Sequence, residues 1–212
     1  MDDNQNLLGD APGRIAIEGR RTVYSGFRKL DAVTYRHVDS HADRLPHAQN
    51  REIAGIGEIA AVLPYDPVRD RIVLLSQVRM GAELAGVESE MVEMVAGMVD
   101  PGETVIETAR RELMEEAGVE ALDMVEALRF MPSPGFTTEL ATLFCARVDS
   151  EVVPPRTGEV SEGEVITTLV VTPEEALSAL EAGQFRNSYT VIALMWFARN
   201  RERLRSLWLG EA

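Results

Sequence analysis

A chain of 212 residues with 45% apolar content can bury one sizeable core with an appendage beside it, and is cramped for two full domains. Its formal net charge is −14 and Lys29 is its only lysine, so no basic run offers a footprint for a nucleic-acid polymer. A single cysteine excludes a disulfide scaffold, and with no secretory leader and no apolar run of membrane-spanning length the expected location is the cytoplasm.

Residues 1–12 are polar with Gly and Pro and are expected to form a disordered tail. Alternating segments follow, IAIEG, TVYSGF and KLDAVTYRHV, and read as strands of a small N-terminal antiparallel sheet spanning residues 13–50. His37, His41 and His47 stand in the polar stretch after them at a spacing that fits no zinc template, so a solvated loop is expected. A main domain is expected over residues 51–212. It opens with EIAAVLPYD and RIVLLSQVR, a hairpin closed by the turn DPVRD, in which Pro67 and the flanking aspartates supply the turn chemistry. Later strands are DMVEALRFM, LATLFCARV and VITTLVV, the last after the Pro-, Gly- and Glu-rich loop VPPRTGEVSEGE. PEEALSALEAG reads as a short helix with Pro173 in its first turn. NSYTVIALMWFARNRERLRSLW reads as a longer one, with Ser188 as cap and Val191, Leu194, Met195 and Ala198 as its apolar stripe. Mixed strands around helices make the class α/β or α+β, a mixed sheet sandwiched by helices. Cys145 lies in an apolar strand without a redox or metal partner and reads as a buried structural thiol.

The most informative stretch is residues 97–119, GMVDPGETVIETARRELMEEAGV. Pro101 and Gly102 break what precedes, Glu103 and Thr104 suit a helix start, and Gly118 sits where a left-handed cap is expected, so the helix runs over about residues 104–117. Val105, Ile106, Ala109, Leu113 and Ala117 form its apolar stripe. At about 100° per residue, Glu112 and Glu116 fall within about 20° of Val105, at the border of that stripe, with Glu115 further round. Acids three and four residues apart repel, and at a core border they also lose hydration. Arg111, one turn before Glu115, can pair there, but one guanidinium does not neutralise Glu103, Glu112, Glu115 and Glu116 together. A hard divalent cation would, and such ions also hold substrate phosphates.

The spacing of Gly97, Glu103, Arg111, Glu112, Leu113, Glu115, Glu116, Gly118 and Val119 resembles the Nudix box at every defining position. Sixteen residues beyond Gly118 stands Pro134 in PSPGFTTE, the offset of a proline in the ADP-ribose pyrophosphatase branch. YSGF, REI, LPYDPVRD, EMVAGMV and SYTVIALMW also resemble bacterial members of that branch, whereas GVESEMVEM and FTTE depart from its usual pattern. The resemblance implies a Nudix fold and hydrolysis of ADP-ribose at its pyrophosphate bond to AMP and ribose 5-phosphate. It implies Mg²⁺ as cofactor, with Mn²⁺ as substitute, and a homodimer formed through the N-terminal sheet, with no membrane or nucleic-acid partner.

Carried over position by position, the resemblance makes Glu112, Glu115, Glu116, Glu164 and the Ala96 carbonyl metal ligands and Glu162 the general base. Gly97, Glu103, Arg111 and Gly118 become structural parts of the box, with Glu103 and Arg111 a buttressing pair. Phe27 stacks on the adenine, Arg51 and Glu52 reach base and phosphate partly from a second subunit, and Arg79 holds the diphosphate. Met98 and Glu139 complete the substrate contacts, Glu139 near the terminal ribose. Two rival readings are a sister hydrolase of another nucleoside diphosphate sugar, such as GDP-mannose, and a non-catalytic sensor of ADP-ribose. The intact box glutamates weigh against the sensor.

Overall fold

The computed structural model describes residues 9–38, 48–158, 163 and 165–210. Chain contacts divide it into two units, one holding the residues up to Ile56 together with Ser133–Thr138, the other Gly57–Pro132 with Glu139–Ala212.

The first unit is a three-stranded antiparallel sheet of β1 (Ile15–Ser25), β2 (Lys29–His37) and β3 (Gln49–Gly55), in that order. IAIEG and TVYS, read as two strands, are one, with register shifts after Ile17 and Thr22. The boundary expected at residue 50 falls inside β3, whose Ala54 makes a parallel bridge to Thr137. Asp31, nearly buried in β2, accepts from Thr22 Oγ1 and Arg20 Nε at 2.7 Å each, and these donors hold its carboxyl below the usual range. Ile15, Ile17, Val23 and Tyr24 of β1 are exposed. The tail up to residue 8, His41 and His47 lie outside the described residues. His37 is the last residue of β2, edge-on to Tyr35 with ring centroids 5.8 Å apart, and so part of the sheet as well as of its polar exit.

The second unit is built on apolar runs that are hidden on both faces. In β4 (Glu58–Asp66) and β5 (Arg71–Val78), Ala61, Leu63, Tyr65, Ile72 and Leu74 join one buried cluster, while Ala60, Val62, Val73 and Leu75 join another. Alternation sends successive side chains to opposite faces, so a strand covered on both sides reads as a continuous apolar run. Helix α2 (Val105–Ala117) contributes Ala109, Leu113 and Ala117 to the second cluster. Helix α3 (Pro173–Glu181) contributes Ala176 to the first, and α4 (Ser188–Leu209) Ala193, Leu194, Phe197, Leu204 and Trp208. The result is the expected mixed sheet between helices. The path is β10 (Arg156–Thr157), β11 (Ile166–Val171), β5, β4, β9 (Leu140–Arg147) and β8 (Asp123–Phe130), with β4 and β9 parallel and the other pairs antiparallel.

The β4–β5 hairpin closes only beside its turn, at Tyr65–Ile72 and Asp66–Arg71. Beyond that the strands diverge. β6 (Glu90–Glu93) pairs with β5 and β7 (Val95–Met98) with β4, so residues 90–98 fill the gap, preceded by the short helix α1 (Met80–Leu84). The sequence reading assigned no strand there. Two further expectations shift. Asn187, not Ser188, caps α4, its Oδ1 accepting from Thr190 N at 3.2 Å, and Met195 and Ala198 of the expected stripe are exposed while Ala193 and Phe197 are buried. In α2, Ile106 is exposed and Thr108 takes the buried place, its hydroxyl donating to Glu103 at 2.8 Å.

The hairpin turn is knotted by Asp66. Its Oδ1 accepts from Val68 N and Arg69 N at 2.9 and 3.1 Å, and its Oδ2 from Ser150 Oγ, Ser150 N and Arg69 Nη1 at 2.7, 3.0 and 3.0 Å. Burial alone would raise this carboxyl, but the bonds from Ser150 and Arg69 outweigh it and bring it down from 3.8 to about 2. A depressed folded-state value stabilises the fold above the ordinary carboxylate range and ceases to do so as pH falls through it. Asp66→Asn is therefore expected to cost on the order of 2 kcal/mol at neutral pH, a gap that closes between about pH 4 and pH 2. Denaturant melts of both proteins across pH check this, and a gap independent of pH refutes it.

Candidate functional site

Helix α2 starts where the sequence places it because Thr104 and Glu107 cap it reciprocally. Glu107 N donates to Thr104 Oγ1 at 3.4 Å and Glu107 Oε2 accepts from Thr104 N at 2.7 Å. It ends at Gly118, in the left-handed region at φ 65°, where a Cβ would also meet Pro154 Cγ at 2.6 Å. The helix lies against β7 with Glu116 4% exposed, Glu112 partly buried and Glu115 exposed, the order the helical wheel predicts.

β7 receives two of these acids. Ala96 N donates to Glu116 Oε2 at 2.9 Å. The carboxylate of Glu112 rests on Gly97, where an added Cβ would stand 1.8 Å from Oε1 and 1.9 Å from Cδ. Gly97 is thus a close-approach glycine.

Arg111 binds the rest together. Its Nη1 donates to Glu112 Oε1 at 2.7 Å and Glu115 Oε2 at 2.9 Å; its Nε and Nη2 donate to Glu103 at 3.1 Å each, and Nη2 also to the Met98 carbonyl at 3.2 Å. The Arg111 bonds, with that from Thr108, hold the Glu103 carboxyl down at about 2, and Glu103 in turn keeps the guanidinium above its usual range. Glu103 and Arg111 are the pair the sequence reading expects, with Arg111 reaching further than expected.

A cleft of about 420 Å³ opens in the same unit, lined by Arg79, Glu93, Ala96, Glu139, Asn187 and Tyr189 among others. Arg79 precedes α1 and pairs with Glu93, while Glu139 accepts from the Tyr189 hydroxyl. Burial first, and then Glu139, push that phenol well above its usual range. Of the candidate residues read from the sequence, Arg79, Ala96 and Glu139 line this cleft, and it is lined too by Glu93, Asn187 and Tyr189, which that reading did not single out. An Asn before an apolar helical run was the one signal available, and it was spent on Ser188.

Phe27, Arg51 and Glu52 belong to the other unit. Phe27 is 92% exposed with the Arg28 guanidinium 4.6 Å from its ring centroid. Arg51 and Glu52 line an open groove of about 490 Å³ with Arg20, Arg21 and Asn50. Glu162 and Glu164 lie outside the described residues. Cys145 is fully buried, and burial pushes its thiol far above the usual range, which removes it as a nucleophile.

Among the described residues no group of three or more His, Cys, Asp or Glu side chains forms a metal cage by itself. The donor set at β7 nevertheless suits a hard cation: it is all oxygen, and Gly97 leaves room for the Glu112 carboxylate that any Cβ would occupy. No helix among the described residues is long and apolar enough to cross a membrane.

The NUDIX domain model matches residues 57–193. The ADP-ribose pyrophosphatase of Escherichia coli K12 is 37% identical over 194 residues, 92% of each chain. The GDP-mannose pyrophosphatase of Citrobacter koseri is 30% identical over 182 residues, 85% of this chain and 93% of its own. A crystal structure of an ADP compounds hydrolase superposes with a TM-score of 0.69 over 94% of this chain and 99% of the other, at 22% identity, a likeness of fold.

Gly97→Ala is expected to displace the Glu112 carboxylate from β7 and from Arg111 at a cost of about 1–3 kcal/mol in stability. A crystal structure of the variant with Glu112 still seated against β7 would contradict this.

Proposed function

The chain belongs to the Nudix family and is one of its pyrophosphohydrolases, and we propose from that premise that it hydrolyses the pyrophosphate bond of ADP-ribose, with a divalent cation, to AMP and ribose 5-phosphate. The observation that carries this reading is the convergence of Glu112 and Glu116 on Ala96 and Gly97, on a strand whose Ala96 also lines the cleft of Arg79 and Glu139. The relative named for ADP-ribose is more similar, over more of this chain, than the one named for GDP-mannose, which supports the choice of sugar nucleotide.

Glu112, Glu115, Glu116, Glu164 and the Ala96 carbonyl would hold Mg²⁺, for which Mn²⁺ can substitute. When bound, the cation neutralises the diphosphate and polarises the phosphorus under attack. Arg79 holds the diphosphate through its planar fork of N–H groups, and Glu139, anchored by Tyr189, accepts from hydroxyls of the terminal ribose. Phe27 stacks on the adenine, and Arg51, Glu52 and Met98 complete the nucleotide contacts. Glu162 takes a proton from water as its oxygen bonds to phosphorus and the bridging P–O bond breaks. A second copy of the chain joins through the N-terminal sheet, whose β1 exposes Ile15, Ile17, Val23 and Tyr24.

In a panel of nucleoside diphosphate sugars with Mg²⁺, ADP-ribose is expected to have the highest kcat/KM, with AMP and ribose 5-phosphate as products. Equal or faster turnover of GDP-mannose would overturn the substrate choice. Glu112→Gln and Glu116→Gln should each lower kcat roughly 100-fold or more, since the lost charge stabilisation is worth several kcal/mol. EDTA should abolish turnover and added Mg²⁺ restore it; full activity in EDTA would sink the metal role. Sedimentation should give a dimer, and a fully active monomer would remove Arg51 and Glu52 as contacts from a second subunit.

A further inference from the structure

Glu93 is 2% exposed, and none of the chemistry above uses it. A buried carboxylate persists only if its charge is paired and its lone pairs are filled. Glu93 meets both conditions. Oε2 accepts from Arg79 Nε at 2.8 Å and from Gln77 Nε2 at 3.2 Å, with Arg79 Nη2 also paired to it at 2.7 Å, and Oε1 accepts from Asn187 Nδ2 at 2.6 Å. Asn187 is also the cap of α4, so the same side chain seals a helix start and grips the acid. The helix N-terminus adds a favourable field for an anion. Thr190 Oγ1 donates to the Val92 carbonyl at 3.5 Å, a second tie between α4 and β6.

Arg79 is the solvent-facing member of this set, paired to a buried one. Its side chain is 44% exposed in the cleft, yet the Nε and Nη2 edge of its guanidinium faces a buried carboxylate that Gln77 and Asn187 also hold. A charge-assisted N–H bond reinforced by a second contact to the same oxygen restrains where that edge of the guanidinium lies.

We propose that Glu93 is the positioning residue for Arg79: held by Gln77 and by the α4 cap Asn187, it orients the Arg79 guanidinium to receive the diphosphate of the substrate. This rests on the reading of Arg79 as a diphosphate contact. It gives the start of α4 a share in setting substrate affinity, through Asn187 and Glu93, without touching substrate.

The test is a double-mutant cycle of Glu93→Gln and Arg79→Ala. It is followed by steady-state kinetics on ADP-ribose and by calorimetric binding of inorganic pyrophosphate in Mg²⁺ buffer, a probe with neither base nor sugar. E93Q is expected to raise the KM and the pyrophosphate Kd about tenfold with kcat within about twofold of wild type. R79A should raise both at least as much, and the double variant should match R79A. An unchanged pyrophosphate Kd in E93Q overturns the proposal. So does an E93Q effect of equal size in the R79A background, which a merely structural role would give, and so does absent pyrophosphate binding by the wild type. Wild-type protein that binds pyrophosphate in this pattern yet leaves ADP-ribose intact refutes the substrate reading alone. If E93Q fails to fold, Glu93→Asp, which keeps the charge on a shorter stem, enters the same cycle with the same expected outcomes.

Discussion

The acidic side of the candidate site is gathered chiefly by the Arg111 guanidinium. In a chain of net charge −14, four glutamates crowd one loop and one helix, and Arg111 holds Glu103, Glu112 and Glu115 while also binding the Met98 carbonyl. It joins the loop before α2, one face of α2 and strand β7, and offsets the mutual repulsion of the loop and helix glutamates. Only a planar group with five donors can serve so many acceptors in different directions, so lysine, a single point charge with three donors, is no equivalent here. Glu116 is tied in separately, through the backbone of Ala96, which leaves two acids of one helix fixed to one strand by independent means.

That strand is available because β4 and β5 part company. Their turn is clamped by Asp66, and on its far side Asp70, at φ 55°, accepts from the Tyr65 hydroxyl at 2.6 Å and pairs with Arg201 of α4. With one end locked, the strands diverge at the other, and residues 90–98 enter the gap as β6 and β7. The insertion carries Glu93 on the β5 side and Ala96 with Gly97 on the β4 side. The two arms of the site, a cleft arginine held by Glu93 and an acidic helix seated on Gly97, therefore lie on consecutive strands of a single segment.

Local signals made much of this legible in advance. Thr104, Pro101 and Gly118 mark α2 because capping chemistry acts over a few residues, and the acids bordering its core follow from helical period alone. The two-faced strands were visible as unbroken apolar runs. What stayed hidden depends on distant pairing. GVESEMVEMVAGMV has no clean alternation, and its strands exist because β4 and β5 leave edges for them. The buried stripe of α4 is rotated from the expected one because Phe197 and Trp208 pack on Tyr65, a ring from another element. Glu93 looked like any acid in a Glu-rich stretch, since nothing local announces that Arg79 and Asn187, the latter 94 residues on, will meet it.

The charges lining the cleft bear on how an acidic chain could bind a diphosphate. Among its described lining residues are Arg79 and Arg186 of one sign and Glu93 and Glu139 of the other. Arg79 already pairs with Glu93, and Arg186 with Glu88 at 3.4 Å. The lining therefore brings no net positive charge to an incoming anion, and a guanidinium shared with a buried acid can orient a phosphate more readily than neutralise it. Neutralisation has to come from elsewhere, and the all-oxygen ground at Glu112, Glu116 and Ala96 is where a divalent cation would supply it. On this reading the division of labour follows from electrostatics: the arginine would supply direction and the cation charge.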